Sequence, residues 1–503
     1  MPNILKTTIV CAPNMSKQIV IIGSGLGGLS AGAILAERGY NVTVLEKQSV
    51  IGGCLQCFSR NGARFETGMH FVGAVGCDEI LDRILRLCGV RDMVRFTPLD
   101  SVYNVISLAG QRYRIATGRQ AFVDTLANDL QCETRFVSRA FDAVRKCARA
   151  SSLYDPNAVM SPEMHLTSIR TVFNDLQLPS DLQRVLGGDS SLYAGNIDAT
   201  PFATMAFLKE FYCDGGYRFC DGSDSLANAF RKQIIDHGGR IVTRAEVSRV
   251  ECNNSRATAV ITTDGVCYQA DYVISAIHPS RLAPMVDSGL LRPAYVKRLS
   301  SLTNTVSAFT AYLTFCPGAM PYMNSNMFGY KVADPWSALD YTSMDWPRGW
   351  LYMHHHMDVT NGFARSGQII TYMKYADVAQ WVDTRLGHRP DDYKEFKQMM
   401  AERLIKAVDS EMPGLANSIM SVETSTPLTY RDYNGTPEGS MYGVAKDLSL
   451  GPANRVSHRT RIPNLLLVGQ NINSHGMLGV LVGTLVACSD LPDVGNLISK
   501  LYE

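Results

Sequence analysis

The stretch Ile19-Val20-Ile21-Ile22-Gly23-Ser24-Gly25-Leu26-Gly27-Gly28 decides how this chain folds. Four β-branched residues running into glycines read as a buried parallel strand. Residues 26–38 then carry Leu29, Ala33, Leu35 and Ala36 at helical spacing, with Gly39 as the stop. A second apolar run over residues 41–45 ends on Glu46, 23 positions after Gly23. A bare G-x-G-x-x-G is weak evidence, but after a strand, at the start of a helix and with this acidic residue it marks a dinucleotide-binding β-α-β unit. Gly23, Gly25, Gly27 and Gly28 let the backbone approach a pyrophosphate, and the helix N-terminus offers N–H donors to it. Glu46 is placed to accept from ribose hydroxyls. Ser24 and Leu26 in the turn and Lys47 next to Glu46 are assigned to the same site.

Working outward, a second glycine pair at Gly52-Gly53 follows Glu46, with Cys54 next to it, and then Phe65-Glu66-Thr67-Gly68-Met69-His70 returns from the following loop. Some 400 residues later the run Asn464-Leu465-Leu466-Leu467-Val468-Gly469 repeats the strand-then-glycine pattern. It leads through Gln470 and Asn471 to a helix opening at Gly476-Met477-Leu478-Gly479-Val480. Three glycine-bearing approaches exceed what an adenosine-only site needs. They fit an extended FAD, with the closing helix aimed at the N1–O2 edge of the flavin, where its dipole stabilises the reduced anionic ring.

The bulk numbers agree. A chain of 503 residues exceeds one core and implies two or three packed domains. A formal net charge of +1 excludes a nucleic-acid partner of the ordinary basic kind. Thirteen scattered Cys suit a reducing compartment, so a cytoplasmic protein is expected. Residues 1–16 hold only a short apolar run and read as a disordered lead. No window reaches the ~18 to 20 apolar residues of a membrane-spanning helix, while a peripheral membrane contact stays open.

The fold class expected is α/β, a Rossmann-like FAD-binding domain of the glutathione reductase/amine oxidase type with an inserted α+β substrate domain carrying a helical cap. The FAD domain is read over residues 17–78, 212–300 and 436–503. Residues 79–211 form the helical cap and first part of the substrate domain, largely helical from amphipathic steps such as Phe122, Leu126 and Leu130. Residues 301–435 form its antiparallel sheet, from the alternating run over 306–315 and a second strong strand over 369–375.

The segments 20–73 and 424–484 resemble the phytoene desaturase-like FAD oxidoreductases, in the branch that holds retinol saturase and carotenoid isomerase. The resemblance rests on Thr67-Gly68-Met69-His70-Phe71-Val72-Gly73, on Thr426-Pro427-Leu428-Thr429-Tyr430-Arg431-Asp432-Tyr433 with Gly435-Thr436-Pro437-Glu438-Gly439-Ser440, and on Gly469-Gln470-Asn471-Ile472-Asn473 through His475-Gly476-Met477-Leu478-Gly479. It implies that the glycine turn, Glu46 and Gly53 hold the ADP half of FAD, and that Val247 meets the adenine through its backbone. It implies further that Gly68, Met69, Gly469, Asn471, Met477 and Leu478 line the flavin half. The implied chemistry is saturation, desaturation or isomerisation of C=C bonds in a lipophilic polyene through the flavin N5, with NAD(P)H or a quinone as electron partner. Two other readings stay open, a non-catalytic prenyl or lipid carrier on the same fold and a flavin amine oxidase. A carrier can lose the flavin-facing glycines, which this chain keeps.

His70 is a candidate proton donor, since an ordinary His titrates near neutrality; the competing reading is a hydrogen-bonded wall residue. Glu438 is a second candidate, weighed against a carboxylate that caps its own loop, and Tyr430 and Arg431 share that ambiguity. Cys54 and Cys57 have the spacing of a redox pair without its context, which favours small buried thiols. His354-His355-His356 suggests a metal, but consecutive strand residues point to opposite faces and no partner sits at ligand spacing, so none is expected. Trp336, Trp346, Trp350 and Trp381 fall in the substrate domain, as core or as tunnel wall.

Overall fold

The computed structural model describes residues 16–503 apart from 156, 159, 160, 254, 288, 452 and 453. All but the last residue of the expected N-terminal lead therefore lies outside the described residues. The strand predicted first, Gln18–Ile22, sits at the centre of a five-stranded parallel sheet. Asn41–Leu45 and then Arg240–Val242 lie on one side of it, and Tyr272–Ser275 and then Leu465–Leu467 on the other. A sheet buried on both faces needs apolar residues throughout, which is why these strands read as continuous runs rather than alternations.

The helix Leu26–Glu37 packs between the helices Asp224–Asp236 and Gly476–Cys488 on one face. Small residues allow this: Gly28, Ala31, Gly32 and Ala33 are buried along the first helix. On the opposite face the strands Val247–Asn253, Arg256–Thr262, Cys267–Gln269 and Val286–Asp287 form a four-stranded sheet. Val250, Val260, Val20, Val273 and Leu467 share its core.

The second sheet has seven strands in the order Ile419–Ser425, Ser307–Phe315, Ser366–Met373, Gly349–His354, Asn326–Tyr330, Val102–Leu108 and Gln111–Ala116. All pairs are antiparallel except Asn326–Tyr330 with Val102–Leu108. The last two strands correct the expectation that residues 79–211 are largely helical. The helices Arg119–Leu130, Thr134–Arg149 and Phe202–Tyr212 are present, but a hairpin over residues 102–116 crosses into the substrate sheet. Alternation over Val102–Leu108 is blurred because Tyr103, Asn104, Ile106, Ser107 and Leu108 are buried on both faces, so no period-2 signal survives to distinguish a strand from a helix flank. Ser307–Phe315 is likewise buried at every position.

The glycine turn has no room for side chains on its inner side. Gly23 adopts φ +95°, and a Cβ on Gly28 would lie 2.0 Å from the Gly23 carbonyl oxygen. Gly28→Ala is therefore expected to lose about 1–3 kcal/mol of stability, read as a lower denaturation midpoint at unchanged m-value. A midpoint equal to wild type would show that the turn relaxes around the methyl group.

Candidate functional site: a dinucleotide cavity and an aromatic chamber

The carboxyl ends of the parallel strands open into a cavity of about 730 Å3. Its floor is the first turn, where Gly23, Ser24, Gly25, Leu26 and Gly27 line the space and Gly28 lies beneath. A Cβ on Gly25 would meet nothing within 4 Å, so this residue faces open cavity and its backbone is available for close approach. Glu46 is buried and organises the turn: its Oε2 accepts from Ser24 N at 2.9 Å and Ser24 Oγ at 2.6 Å, and its Oε1 accepts from Gln48 N at 2.8 Å. A carboxylate offers about four acceptor positions, so one remains for a ribose hydroxyl. Lys47, Gly53, Cys54, Gly68, Met69, Val247, Gly469, Asn471 and Met477 all line the same space.

Leu478 does not line it. One residue into the closing helix from Met477, it turns into the core. Asn471 is held by its own network, Oδ1 accepting from Val444 N at 3.1 Å.

Much of one wall is the segment 431–436, with Arg431, Asp432, Asn434 and Thr436 facing the cavity. Arg431 Nη1 donates to the Val382 carbonyl at 2.7 Å and pairs through Nε with Asp432, which is also bridged by Arg389. His278, Arg281 and Met285 close the end that carries Val247. None of these three was predicted, because no spacing rule links them to the glycine turn.

Glu438 is corrected. It is exposed, with φ +54°, and lines no part of the cavity. In the turn Pro437–Gly439, Gly439 lies against Pro427, where a Cβ would be 2.0 Å from the Pro427 carbonyl oxygen. Cys54 and Cys57 are both free thiols. Burial raises Cys54 to about 11, and burial together with the nearby Glu66 carboxyl raises Cys57 further. Neither is thiolate at neutral pH, so they do not behave as an activated redox pair. Among the described residues no group of three ligating side chains suits a metal. His354 is instead spent on structure, its Nδ1 accepting from Met323 N at 3.0 Å and its Nε2 bonded to the Tyr352 hydroxyl at 2.5 Å.

His70 stands outside the dinucleotide cavity, in the wall of a smaller chamber with Leu192, Tyr330, Trp350, Leu351, Ile370, Tyr372, Met441 and Tyr442. The two spaces share Met441 and Tyr442. The Gln368 side-chain amide lies 3.4 Å from His70 Nδ1. Behind it Arg218, buried and paired with no carboxylate among the described residues, donates to the His70 carbonyl at 3.4 Å and to Asn326 Oδ1 at 3.0 Å. Burial and this guanidinium push His70 down to about 4. It is a neutral hydrogen-bonding residue at pH 7 rather than an imidazolium acid.

A parallel sheet with a glycine turn, a carboxylate at the second strand end and a helix N-terminus closing the far side defines a dinucleotide-binding oxidoreductase scaffold. The comparisons make it more particular. The sequence profile of the flavin containing amine oxidoreductases matches residues 26–339, and the chain belongs to that family. It is 27% identical to human all-trans-retinol 13,14-reductase, over 96% of this chain and 86% of the relative. It is 26% identical to 4,4'-diapophytoene desaturase (4,4'-diapolycopene-forming) from Methylomonas sp, over 59% of this chain and 61% of the relative. It is 22% identical to chloroplastic prolycopene isomerase from Daucus carota, over 90% and 76%. A solved oxidoreductase from Methanosarcina mazei has the same fold, with a TM-score of 0.62 at 17% identity, covering 93% of this chain and 99% of that one. No helix among the described residues is long and apolar enough to cross a membrane.

Two outcomes are expected. Gly25→Ala fills open cavity rather than core, so the apoprotein melts as wild type while FAD binds roughly tenfold or more weakly; equal FAD affinity would remove the pyrophosphate from this turn. The second concerns acid. Burial holds His70 and His278 at about 4 and His354 and His475 at about 3, against 6.5 when unfolded. Between pH 6.5 and 4 the unfolded chain takes up protons that the folded one refuses, so stability falls with falling pH by on the order of 1 kcal/mol per pH unit for each such histidine. Glu66, raised to about 7 by burial, opposes them as a single group. Denaturation midpoints at pH 7 and pH 5 test the balance, and a midpoint that rises on acidification would refute it.

Proposed function

We propose that the chain is an FAD-dependent oxidoreductase that saturates, desaturates or isomerises C=C bonds of a lipophilic polyene of the carotenoid or retinoid kind. One observation carries this reading: next to the dinucleotide cavity lies a chamber walled by Tyr330, Trp350, Tyr372, Tyr442, Leu192, Leu351 and Ile370, with no Asp, Glu, Lys or Arg among its lining residues. The chamber has about 20 Å3 of free space, room for one small group; an ammonium group there would find no carboxylate, whereas an apolar group finds aromatic and aliphatic surface. The names of the retinol reductase, diapophytoene desaturase and prolycopene isomerase relatives support the same chemistry.

When bound, FAD supplies a hydride or electron relay at the flavin N5. The residues of this chain do the rest. Gly23–Gly27 and the first helix receive the pyrophosphate, and Glu46 receives the ribose while it ties Ser24 into the turn. Met69, Asn471 and Met477 line the opposite part of the cavity, at the N-terminus of the closing helix. His70 presents a neutral imidazole to the chamber and holds no charge that the polyene would have to bury beside. NAD(P)H or a quinone is proposed as the electron partner. The proposed setting is cytoplasmic with a peripheral membrane contact through which a lipophilic substrate enters.

The purified protein is expected to show a flavin absorbance band that anaerobic reductant bleaches and that a conjugated polyene perturbs or restores. A colourless protein that FAD cannot reconstitute would overturn the proposal. His70→Gln is expected to leave the flavin spectrum intact and to lower turnover about 10- to 100-fold, the range for loss of one positioned hydrogen-bonding group; undiminished turnover would make His70 a wall residue only.

A further inference from the structure

The turn after the last parallel strand is clamped by residues 442–446. Gly443, at φ +68°, lies so close that a Cβ would be 2.0 Å from Asn471 Oδ1. Val444 N donates to the same oxygen at 3.1 Å. Lys446 Nζ donates to the Gln470 carbonyl at 3.0 Å and to the Val444 carbonyl at 3.2 Å. The Tyr442 and His475 rings pack 4.6 Å apart, one residue before the closing helix begins at Gly476. Tyr442, Gln470, Asn471 and Gly476 all line the dinucleotide cavity, and Lys446 does not. Its amine therefore lies one hydrogen bond behind the wall at the start of that helix.

Lys446 pairs with no carboxylate among the described residues. The groups around it supply no counter-charge. Arg455 faces it, and the Asp447 carboxyl, raised by burial, answers to Arg455. Burial, and to a smaller extent Lys446, push His475 down to about 3. His278, lowered chiefly by burial, feels Arg281 and Lys446. Burial also pushes the Tyr442 hydroxyl up, so it carries no charge at neutral pH. In these surroundings burial and the Arg455 guanidinium push the Lys446 ammonium down to about 7. A cation enclosed without an anion is unfavourable. The anion missing here is one that the cavity gains only when its occupant is reduced.

We propose that Lys446 is the electrostatic partner of the reduced flavin: its ammonium, tethered to Gln470 at the start of the closing helix, favours the anionic reduced ring over the neutral oxidised one and so sets the reduction potential. The inference rests on the FAD reading of the cavity and goes beyond it by assigning the charge to which the reduced cofactor is matched. Lys446 acts through the cavity wall, as a positioning residue, and adds to the partial positive charge of the helix N-terminus. Reduction brings two electrons from the reductant and one proton to the ring. New negative charge nearby raises the pKa of an ammonium. From near neutral pH upward, the amine is then neutral beside the oxidised ring and charged beside the reduced one, so reduction takes up a second proton at Lys446.

The test is an anaerobic titration of the FAD-loaded protein with dithionite against a dye of known potential, between about pH 5.5 and 9. Below about pH 7 the equilibrium constant for reduction should fall about tenfold per pH unit, or about 30 mV for two electrons. Above it the fall should steepen to about a hundredfold per unit. Lys446→Met should show the shallower slope throughout, with a constant at least about tenfold below wild type at pH 6. Lys446→Arg should keep the wild-type constant at pH 6 and lose the break, because a guanidinium stays charged. A wild-type profile without a break, a break that survives Lys446→Met, or equal potentials in the two proteins would overturn the proposal and leave Lys446 a tether for the turn. Weaker FAD binding by the same factor in both oxidation states would overturn it too, and assign the charge to the pyrophosphate. The wild-type profile needs no variant, so the test stays decisive if Lys446→Met fails to fold. A protein that binds no flavin would overturn the FAD reading instead. No polyene enters the titration, so the polyene reading is tested separately.

Discussion

The structure depends on one backbone contact. The start of the first helix lies so close to the turn after the last parallel strand that a Cβ on Gly27 would sit 2.9 Å from Gly469 N and 3.0 Å from Gly469 Cα. Only glycine permits that approach, and it brings residues more than 400 positions apart into one wall. Everything at the site follows from it. The glycine turn can face Gly469 and Asn471 across a single cavity, and the closing helix can begin at Gly476 with its N-terminus directed at the same space. Because the last strand, Leu465–Leu467, pairs with Tyr272–Ser275 in the central sheet, this approach is imposed by the parallel register and does not need a flexible linker.

The two sheets divide the chemical work by their surroundings. The parallel sheet ends in backbone donors and a buried carboxylate, an environment for phosphates and sugar hydroxyls. The seven-stranded sheet presents aromatic side chains and neutral polar groups, an environment for an uncharged chain. Between them, Arg218 is a buried cation without an ionic partner among the described residues, and it faces His70, His354 and His355. Its field and the low dielectric keep all three imidazoles neutral. It also ties the Met69-His70 loop to Asn326 of the substrate sheet, so the same residue sets the electrostatics and the spacing at the junction.

The cofactor half of the site was legible because its residues are close in sequence and chemically constrained. Gly23, Gly25 and Gly27 each have a reason to lack a side chain, and Glu46 has a fixed place at the end of the second strand. Leu478 was misplaced by one helical step, since neighbouring residues on a helix point about 100° apart and only Met477 reaches the cavity. Glu438 was misjudged because a left-handed residue in a tight turn directs its side chain by backbone geometry that residue identity does not reveal. The hairpin over residues 102–116 was missed because a strand buried on both faces loses the alternation that identifies strands.

By itself the sequence determined the parallel β-α-β core, the dinucleotide turn and the existence of a distant partner at Gly469–Gly479, because strand propensity, glycine placement and helix starts are local properties. Only the tertiary structure decided that His70 faces an aromatic chamber and that Arg218 and burial hold it neutral. Those facts depend on residues 70 and 218, distant in sequence, being buried beside one another. Burial and pairing are properties of that packing, and no spacing along the chain encodes them.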